Sequence, residues 1–461
     1  MSFINAYRPF LEFGDFADVY LEESESLSIL WENGGVQNIS KAHDKGAGIR
    51  ILQGLETLYA HSTMASPLSG FSSNDEKAKL DRLFQDLTRG LKKSGPKTIA
   101  EPAIKNHPLS DPPGHHSLQD KIGVLDLAFQ TAKSAEEIRQ VTGNYLEKIK
   151  RIGYLNSAGE TFLEERTYLV FNLTVTAQKG SELQTAYQSM GGLGGFELLG
   201  RESVQKLAWA VRERARNKLE APLAPMGEMP VVIASSAGGT IIHEAVGHSL
   251  EADHVLQGTS PAFAGKIGKI VASEKVTVLD DPTLQGARGS YFFDDEGIPA
   301  QKSILIENGI LKDYMLDRKA ALQMKLKSNG HGRRESFSHR PIPRMSNTFV
   351  APGKDNPEAI LKSLRKGFLV TKMGGGQVNT ANGDFVFDVE EGYEINAGRK
   401  TLVRKASLLG NGLEVLKSID MVGSDLGWSI GTCGKEGQGV PVSDGLPTIR
   451  IKKLVIGGGR F

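Results

Sequence analysis

Between residues 16 and 61 the chain alternates apolar and polar residues almost without pause. The segments ADVYLEES, LSILW, GVQNIS, AGIRIL and LETLYAH follow one another across short polar or glycine interruptions. Period-two alternation commits a segment to a strand, because successive side chains leave opposite faces. Strands joined by short connections pair with their neighbours, so a β-meander of about five strands is expected here.

Helices are expected to follow. Leu80, Leu83, Phe84, Leu87 and Leu91 recur at three and four residues and predict a helix near 76–93. The proline-rich stretch 94–117 reads as a loop, and a second helix is expected around 118–131. A third is expected near 134–150, where Ile138, Val141, Tyr145 and Ile149 would share one face. TYLVFNLTVTAQ (167–178) reads as a strand. Residues 202–219 read as an amphipathic helix with Val204, Leu207, Ala208, Val211, Ala215 and Leu219 inward.

APLAPMGEMP (221–230) holds three prolines and a glycine and marks a boundary. Beyond it VVIAS reads as a short buried strand, and a helix begins near 240. From about 265 onward the chain is mainly strands: KVTVLDD, SILIENGILKDYML, FLVTKMGGGQVN, DFVFDVEEGYEIN and TIRIKKLVIGGG. Glycine supports this, with 53 in 461 residues, about 11% against a usual ~7%. The expected class is α+β. A mixed amino-terminal domain (1–225), a β-meander sheet with helices, precedes a β-rich carboxy-terminal domain (226–461) that carries the chemistry.

Charge excludes some partners. With 55 basic and 54 acidic side chains the net charge is +1, so no overall field draws the chain to nucleic acid or an anionic membrane. No apolar run approaches the 18 or so residues of a membrane span. The opening MSFINAYRPFLEFGDF does not read as a signal peptide. The one cysteine, Cys433, allows no internal disulfide, which fits a reducing cytoplasm.

The chemistry concentrates in 243-HEAVGH-248. It differs from the zinc-protease motif H-E-x-x-H by one extra residue. At ~100° per residue, histidines four apart lie about 40° from each other, but five apart lie about 140° apart. On a regular α-helix His243 and His248 therefore cannot share an ion. A π-bulge absorbs one extra residue and returns i and i+5 to one face, and Gly247 offers backbone freedom for it. Glu244 stands where the general base stands in H-E-x-x-H enzymes. A catalytic zinc usually takes three protein ligands and keeps one position open. Glu251, Asp253, His254 and the distant Cys433 are candidates for the third, and a two-histidine, one-thiolate site is chemically reasonable. Taken alone, two histidines on a buried helix and a lone cysteine read equally well as packed core residues.

HEAVGHSLEAD, followed by cysteine in a GTCGK-type loop, resembles the TldD branch of the TldD/PmbA family of zinc metallopeptidases. Supporting stretches are AGIRIL, GSYFFDDEGIPAQKSILIENGIL (289–311), RPIPRMSNTFVAPG (340–353), GGGQVNTANGDFVFDVEEGYEI (374–395) and GKEGQGVPVSDGLPTIRIKKLVIGG (434–458). The resemblance spans nearly the whole chain and is most specific from about 230 onward. It implies one zinc ion per chain held by His243, His248 and Cys433, with Glu244 as base. It implies hydrolysis of short peptides or unfolded polypeptides, entering as extended strands, in the closed chamber of a dimer. The dimer would be a homodimer or a heterodimer with a PmbA/TldE-type paralogue. Two other readings are a peptide-binding subunit that does not cut and a metal-dependent hydrolase of non-peptide substrates.

Asp294, Asp295 and Glu296 read as a turn with solvated carboxylates, or less readily as a site for a cation or a peptide amine. His331, Arg333, Arg334, His339 and Arg344 make 329–345 basic, for surface or interface contacts, or less readily for recognition of an anion or carboxylate. His115 and His116 are adjacent loop histidines that rarely chelate. Gly374–Gly376 lack a phosphate-loop context and read as a turn, or as a close approach of substrate backbone.

Overall fold

The alternating start of the chain folds into three long strands instead of five short ones. In the computed structural model, which describes residues 2–94, 98–379 and 381–458, these are β1 (Phe16–Glu32), β2 (Gly35–Gln53) and β3 (Glu56–Thr63). Gly46, which read as an interruption before AGIRIL, lies inside β2, as does Gly48. A Cβ on Gly46 would collide with the Phe337 ring, and one on Gly48 with the Tyr59 hydroxyl. These glycines admit a close neighbour and do not turn the chain.

The sheet is completed by β4 (Ala103–Asn106), β5 (Ile138–Asn156), β6 (Thr161–Lys179) and β7 (Glu182–Leu193), in the order β3-β2-β1-β5-β6. The far edge of β6 is shared by β4, parallel at its start, and β7, antiparallel along the rest. The helices are α1 (Ser2–Tyr7), α2 (Asn74–Leu87), α3 (Leu118–Lys133) and α4 (Arg201–Lys218). Ser117 and Asp120 form a capping box that starts α3. Val124 and Leu125 of α3 and Val204, Leu207 and Val211 of α4 bury one face of the sheet against Tyr145, Phe171 and Leu173. Residues 95–97 of the proline-rich stretch and Gly459 of the last expected strand lie outside the described residues.

The helix expected at 134–150 is instead β5. Ile138, Val141 and Tyr145 are buried as expected, but on a strand. The ladder with β6 shifts register between Ile138 and Gln140, so the three-residue step from Ile138 to Val141 keeps one face. The four-residue steps to Tyr145 and Ile149 are two strand periods each. A bulged strand thus reproduced helical spacing.

The polar face of β1 is not solvated. Ala17, Val19 and Leu21 join the core under α1 and α2, while Asp18, Tyr20 and Glu22 face the carboxy-terminal half of the chain and are equally buried. Asp18 accepts from Arg50, which also pairs with Glu296. Asp295 pairs with Arg166 at 3.2 Å and accepts from the Arg334 backbone N–H at 2.8 Å. The acidic triplet and the basic segment are therefore corrected together: Asp294, Asp295, Glu296, Arg333, Arg334 and Arg344 are all at most 2% exposed. Asp295, Glu296 and Arg334 meet the first sheet across a buried seam, at Arg166, Arg50 and Asp18, whereas Arg333 and Arg344 donate to backbone carbonyls of the carboxy-terminal half. Composition could not show this, because a charge looks the same in sequence whether or not its partner lies 250 residues away.

After Pro225 the strands are β8 (Gly227–Ile233), β9 (Val278–Asp280), β10 (Ser303–Glu307), β11 (Ile310–Leu311), β12 (Gly332–Arg333), β13 (Ile342–Pro343), β14 (Asn347–Val350) and β15 (Lys366–Asn379). Then come β16 (Asp384–Asn396), β17 (Arg399–Val403), β18 (Ala406–Asn411), β19 (Ile419–Val422), β20 (Gly427–Lys435), β21 (Gln438–Leu446) and β22 (Ile449–Gly458). The pairings β15-β8-β22-β18-β16 return to β15 and close a ring of five strands. A second sheet runs β11-β10-β9-β14-β21-β20. Gly374–Gly376 lie within β15, not in a turn; Gly376 pairs with Phe387, whose ring fills the space a Cβ would need. The architecture is α+β. No helix of the described residues is long and apolar enough to cross a membrane.

The short helical stretch from Thr240 to Leu256 lies between ring and second sheet. Ile241, Ile242, Ala245 and Val246 share one core with Val231, Phe385 and Phe387 of the ring and with Val278, Val440 and Val442 of the second sheet. That placement fixes the histidines between two rigid layers.

Candidate metal centre

The extra residue in HEAVGH is absorbed by a π turn. Thr240–Ile242 is α-helical, His243–Gly247 is π-helical, and His248–Leu250 tightens to a 3₁₀ turn. Each i→i+5 bond adds one residue to the turn, so His243 and His248 come back to one side. Their rings stand perpendicular with centroids 5.1 Å apart. Gly247 contributes differently from expectation. Its backbone is ordinary right-handed helix, φ −55° and ψ −57°. What it supplies is space, since a Cβ there would collide with the Met345 sulfur. Gly247→Ala is expected to cost about 1–3 kcal/mol of stability through overpacking, checked by denaturant unfolding.

Cys433 reaches this helix from β20. The ligand atoms of His243, His248 and Cys433 all lie within 4.8 Å of one another, and Cys433 Sγ is 3.5 Å from His248 Nε2. All three side chains are buried. Arg344 fixes the strand by donating to the Cys433 carbonyl and, at 3.3 Å, to the Gln438 carbonyl.

Each imidazole is backed by a carboxylate on its Nδ1. Glu251 Oε2 lies 2.9 Å from His248 Nδ1. Asp444 Oδ1 lies 3.0 Å from His243 Nδ1, at ion-pair distance though outside good hydrogen-bond alignment. Nε2 of both rings is left for the cluster. Carboxylate–histidine pairs of this kind orient metal ligands and raise their basicity. Asp444 arrives through a glycine contact: the Gly239 N–H donates to the Asp444 carbonyl at 3.3 Å, and a Cβ on Gly239 would run into the Gly445 amide. Glu251 is held in turn by Lys435, whose Nζ donates to it at 3.1 Å, to Asp253 at 2.6 Å and to the Pro343 carbonyl at 3.0 Å.

The electrostatics suit a cation. Burial disfavours the thiolate, yet hydrogen bonds and charge from His243 and His248 bring Cys433 down to about 5. Burial also works against the imidazolium ions, but Asp444 holds His243 well above the histidine range and Glu251 raises His248 to about 10. Burial would raise Glu251, but Lys435 and then His248 hold it well below the carboxylate range. The centre thus combines a thiolate and two carboxylates with two protons that a divalent cation would displace. Glu244 differs from the three: it is only half-buried, and burial raises its carboxyl above the usual range against the pull of both histidines.

The other candidates separate. His254 forms a second group with His248 and Glu251, but its Nδ1 is bonded to Thr259 at 3.0 Å. Asp253 accepts from Lys435 and from the His254 backbone N–H, not from an imidazole. His116 bonds Asp111 at 2.7 Å and stacks on Phe196. His115 belongs to no metal-holding group among the described residues. Asp444, Lys435 and Met345 were not singled out in the sequence. PVSDGLP carries no local sign that its aspartate lies beside a histidine 201 positions earlier, whereas the lysine two residues after Cys433 shares its strand face and was legible by alternation.

The profile of the PmbA/TldA metallopeptidase C-terminal domain matches residues 226–458, with the family's domain 1 matching 17–86 and its central domain 111–219. A metalloprotease TldD homolog of Buchnera aphidicola is 36% identical over 96% of this chain and 93% of its own. A zinc metalloprotease TldD homolog of Saccharolobus solfataricus is 29% identical over 74% of this chain and 76% of its own. Among solved structures, TldE from Thermococcus kodakarensis superposes with a TM-score of 0.75 at 19% identity, covering 99% of both chains, a likeness of fold. The matched profiles, the near full-length relatives and the shared architecture agree: the chain belongs to the PmbA/TldA metallopeptidase family.

Proposed function

We propose that this chain is a zinc-dependent peptidase in which His243, His248 and Cys433 hold one zinc ion and Glu244 is the general base. The observation that carries the reading is the convergence of those three ligand atoms through a π turn, with a carboxylate behind each imidazole. When bound, zinc supplies Lewis acidity toward a water molecule and the scissile carbonyl. Asp444 and Glu251 keep the imidazoles oriented through Nδ1. Glu244, not fully enclosed, accepts a proton from water and returns it to the leaving amine. Its raised affinity for protons fits a group that must both take and give one.

The substrate in this reading is an extended peptide or unfolded segment, laid along the edge of the second sheet at β20. The protein works in the cytoplasm as a dimer, with itself or with a related family chain. A screen of unstructured peptides beside small amides and esters, with and without chelator, tests the proposal. Peptides are expected to be cut, chelator to stop cleavage, and added zinc to restore it. Cleavage of esters alone, or of peptides in the presence of chelator, contradicts it. Asp444→Asn is expected to weaken metal binding about 10–100-fold, measured by competition with a zinc indicator.

A further inference from the structure

The strand that carries Cys433 has a second face. Cys433 and Lys435 are buried toward the candidate metal centre, whereas Thr432, paired with Pro441 on β21, points the other way. On that side a cavity of about 190 Å³ lies between the second sheet and the first, lined by Lys148, Lys150, Arg166, Arg288, Arg333 and Arg334. Carboxylates answer only some of these charges. Lys150 pairs with Glu22 at 3.2 Å, Arg166 with Glu164 and Asp295 at 3.0 and 3.2 Å, and Arg334 lies 3.8 Å from Asp18. Glu335, also lining the cavity, accepts from the Gly439 N–H at 2.6 Å.

Lys148, Arg288 and Arg333 have no carboxylate at ion-pair distance among the described residues. Arg333 donates to the Met345 and Pro441 carbonyls, and Arg288 to the Gly431 carbonyl and the Thr432 hydroxyl. The Nε atoms of both arginines are buried without a partner. Burial, with Lys150 nearby, also lowers the proton affinity of Lys148. Arg333 is buried and Lys148 and Arg288 are half-buried; desolvating a cation without a carboxylate partner is costly, so the concentration of the three around one cavity suits an anion. Arg288 touches β20 itself, one residue from Cys433, so the cavity begins at the strand. Among the described residues β20 is an edge strand paired only with β21. A peptide added along that edge alternates its side chains between the two faces, and the neighbours of a residue facing the metal centre fall toward these cations.

We propose that this cavity is a specificity subsite that takes a carboxylate of the substrate peptide, supplied by an acidic side chain or by a free C-terminus near the scissile bond. It rests on the peptidase reading above. The test is binding to the full-length Glu244→Gln chain, zinc-loaded and with any co-purifying family partner, followed by fluorescence anisotropy. The probes are a neutral C-terminally amidated peptide, the same peptide with single Gln→Glu changes walked along it, and its free-acid form. One Glu position or the free acid is expected to bind about tenfold tighter than the neutral peptide, the effect of one charge-assisted contact. Which probe gains identifies the source of the carboxylate. Lys148→Met and Arg288→Gln, made separately, are each expected to shrink that gap to about threefold or less. Equal binding of all probes, no binding, or a gap that survives both substitutions overturns the subsite. Cleavage by the unmutated chain is scored separately: preferential binding without cleavage leaves the subsite standing and refutes the peptidase reading, and cleavage with equal binding does the reverse.

Discussion

Glu244→Gln is expected to abolish peptide hydrolysis, by about 10²–10⁴-fold in kcat, while zinc stays bound at one per chain. The reason is positional. His243 and His248 carry their carboxylate partners on Nδ1, and Cys433 is buried between them, so metal retention needs nothing from Glu244. Its carboxylate combines partial exposure with proximity to His243, His248 and Cys433. Glutamine keeps its size and removes its basicity. Paired measurements of kcat and of zinc by elemental analysis check this. Full activity in the variant would remove Glu244 from the chemistry, and loss of zinc would recast it as a ligand.

Cys433→Ser is expected to release the metal. A serine hydroxyl is not ionised near neutral pH, whereas both histidines draw the Cys433 thiol down to about 5 against its burial. Loss of a direct ligand should exceed the ~10–100-fold that a supporting residue costs. Zinc competition assays on the purified variant, with its unfolding curve alongside, measure this. Unchanged stoichiometry and affinity would return Cys433 to the role of a small core residue packed against Val440 and Val442.

The sequence spoke most clearly where chemistry and local geometry coincide. HEAVGH states its own difficulty, an extra residue of about 100° of helix rotation, and therefore the kind of turn that would resolve it. The structure has that turn, with Gly247 leaving room for Met345 and not bending the backbone. Strand alternation was equally legible in 16–61, although the polar stretch ending at Gly46 read as a break. What stayed hidden depends on partners far along the chain. The bulge at Ile138–Gln140 is a property of pairing with β6, and without it Ile138, Val141 and Tyr145 spell a helix. Asp295, Glu296 and Arg334 find their partners on the first sheet, at Arg166, Arg50 and Asp18, a fact that no local pattern encodes. Asp444 escaped notice for the same reason. Its place beside His243 is set by the Gly239–Gly445 approach, a contact between two layers.

The most direct test is a crystal structure with anomalous diffraction recorded on both sides of the zinc absorption edge. A single zinc peak in contact with Nε2 of His243, Nε2 of His248 and Sγ of Cys433, with Glu244 not coordinated, is the predicted result. A peak at His248, Glu251 and His254, the other group able to hold an ion among the described residues, would contradict it, as would a well-ordered cluster at His243 and Cys433 with no anomalous signal in zinc-replete protein.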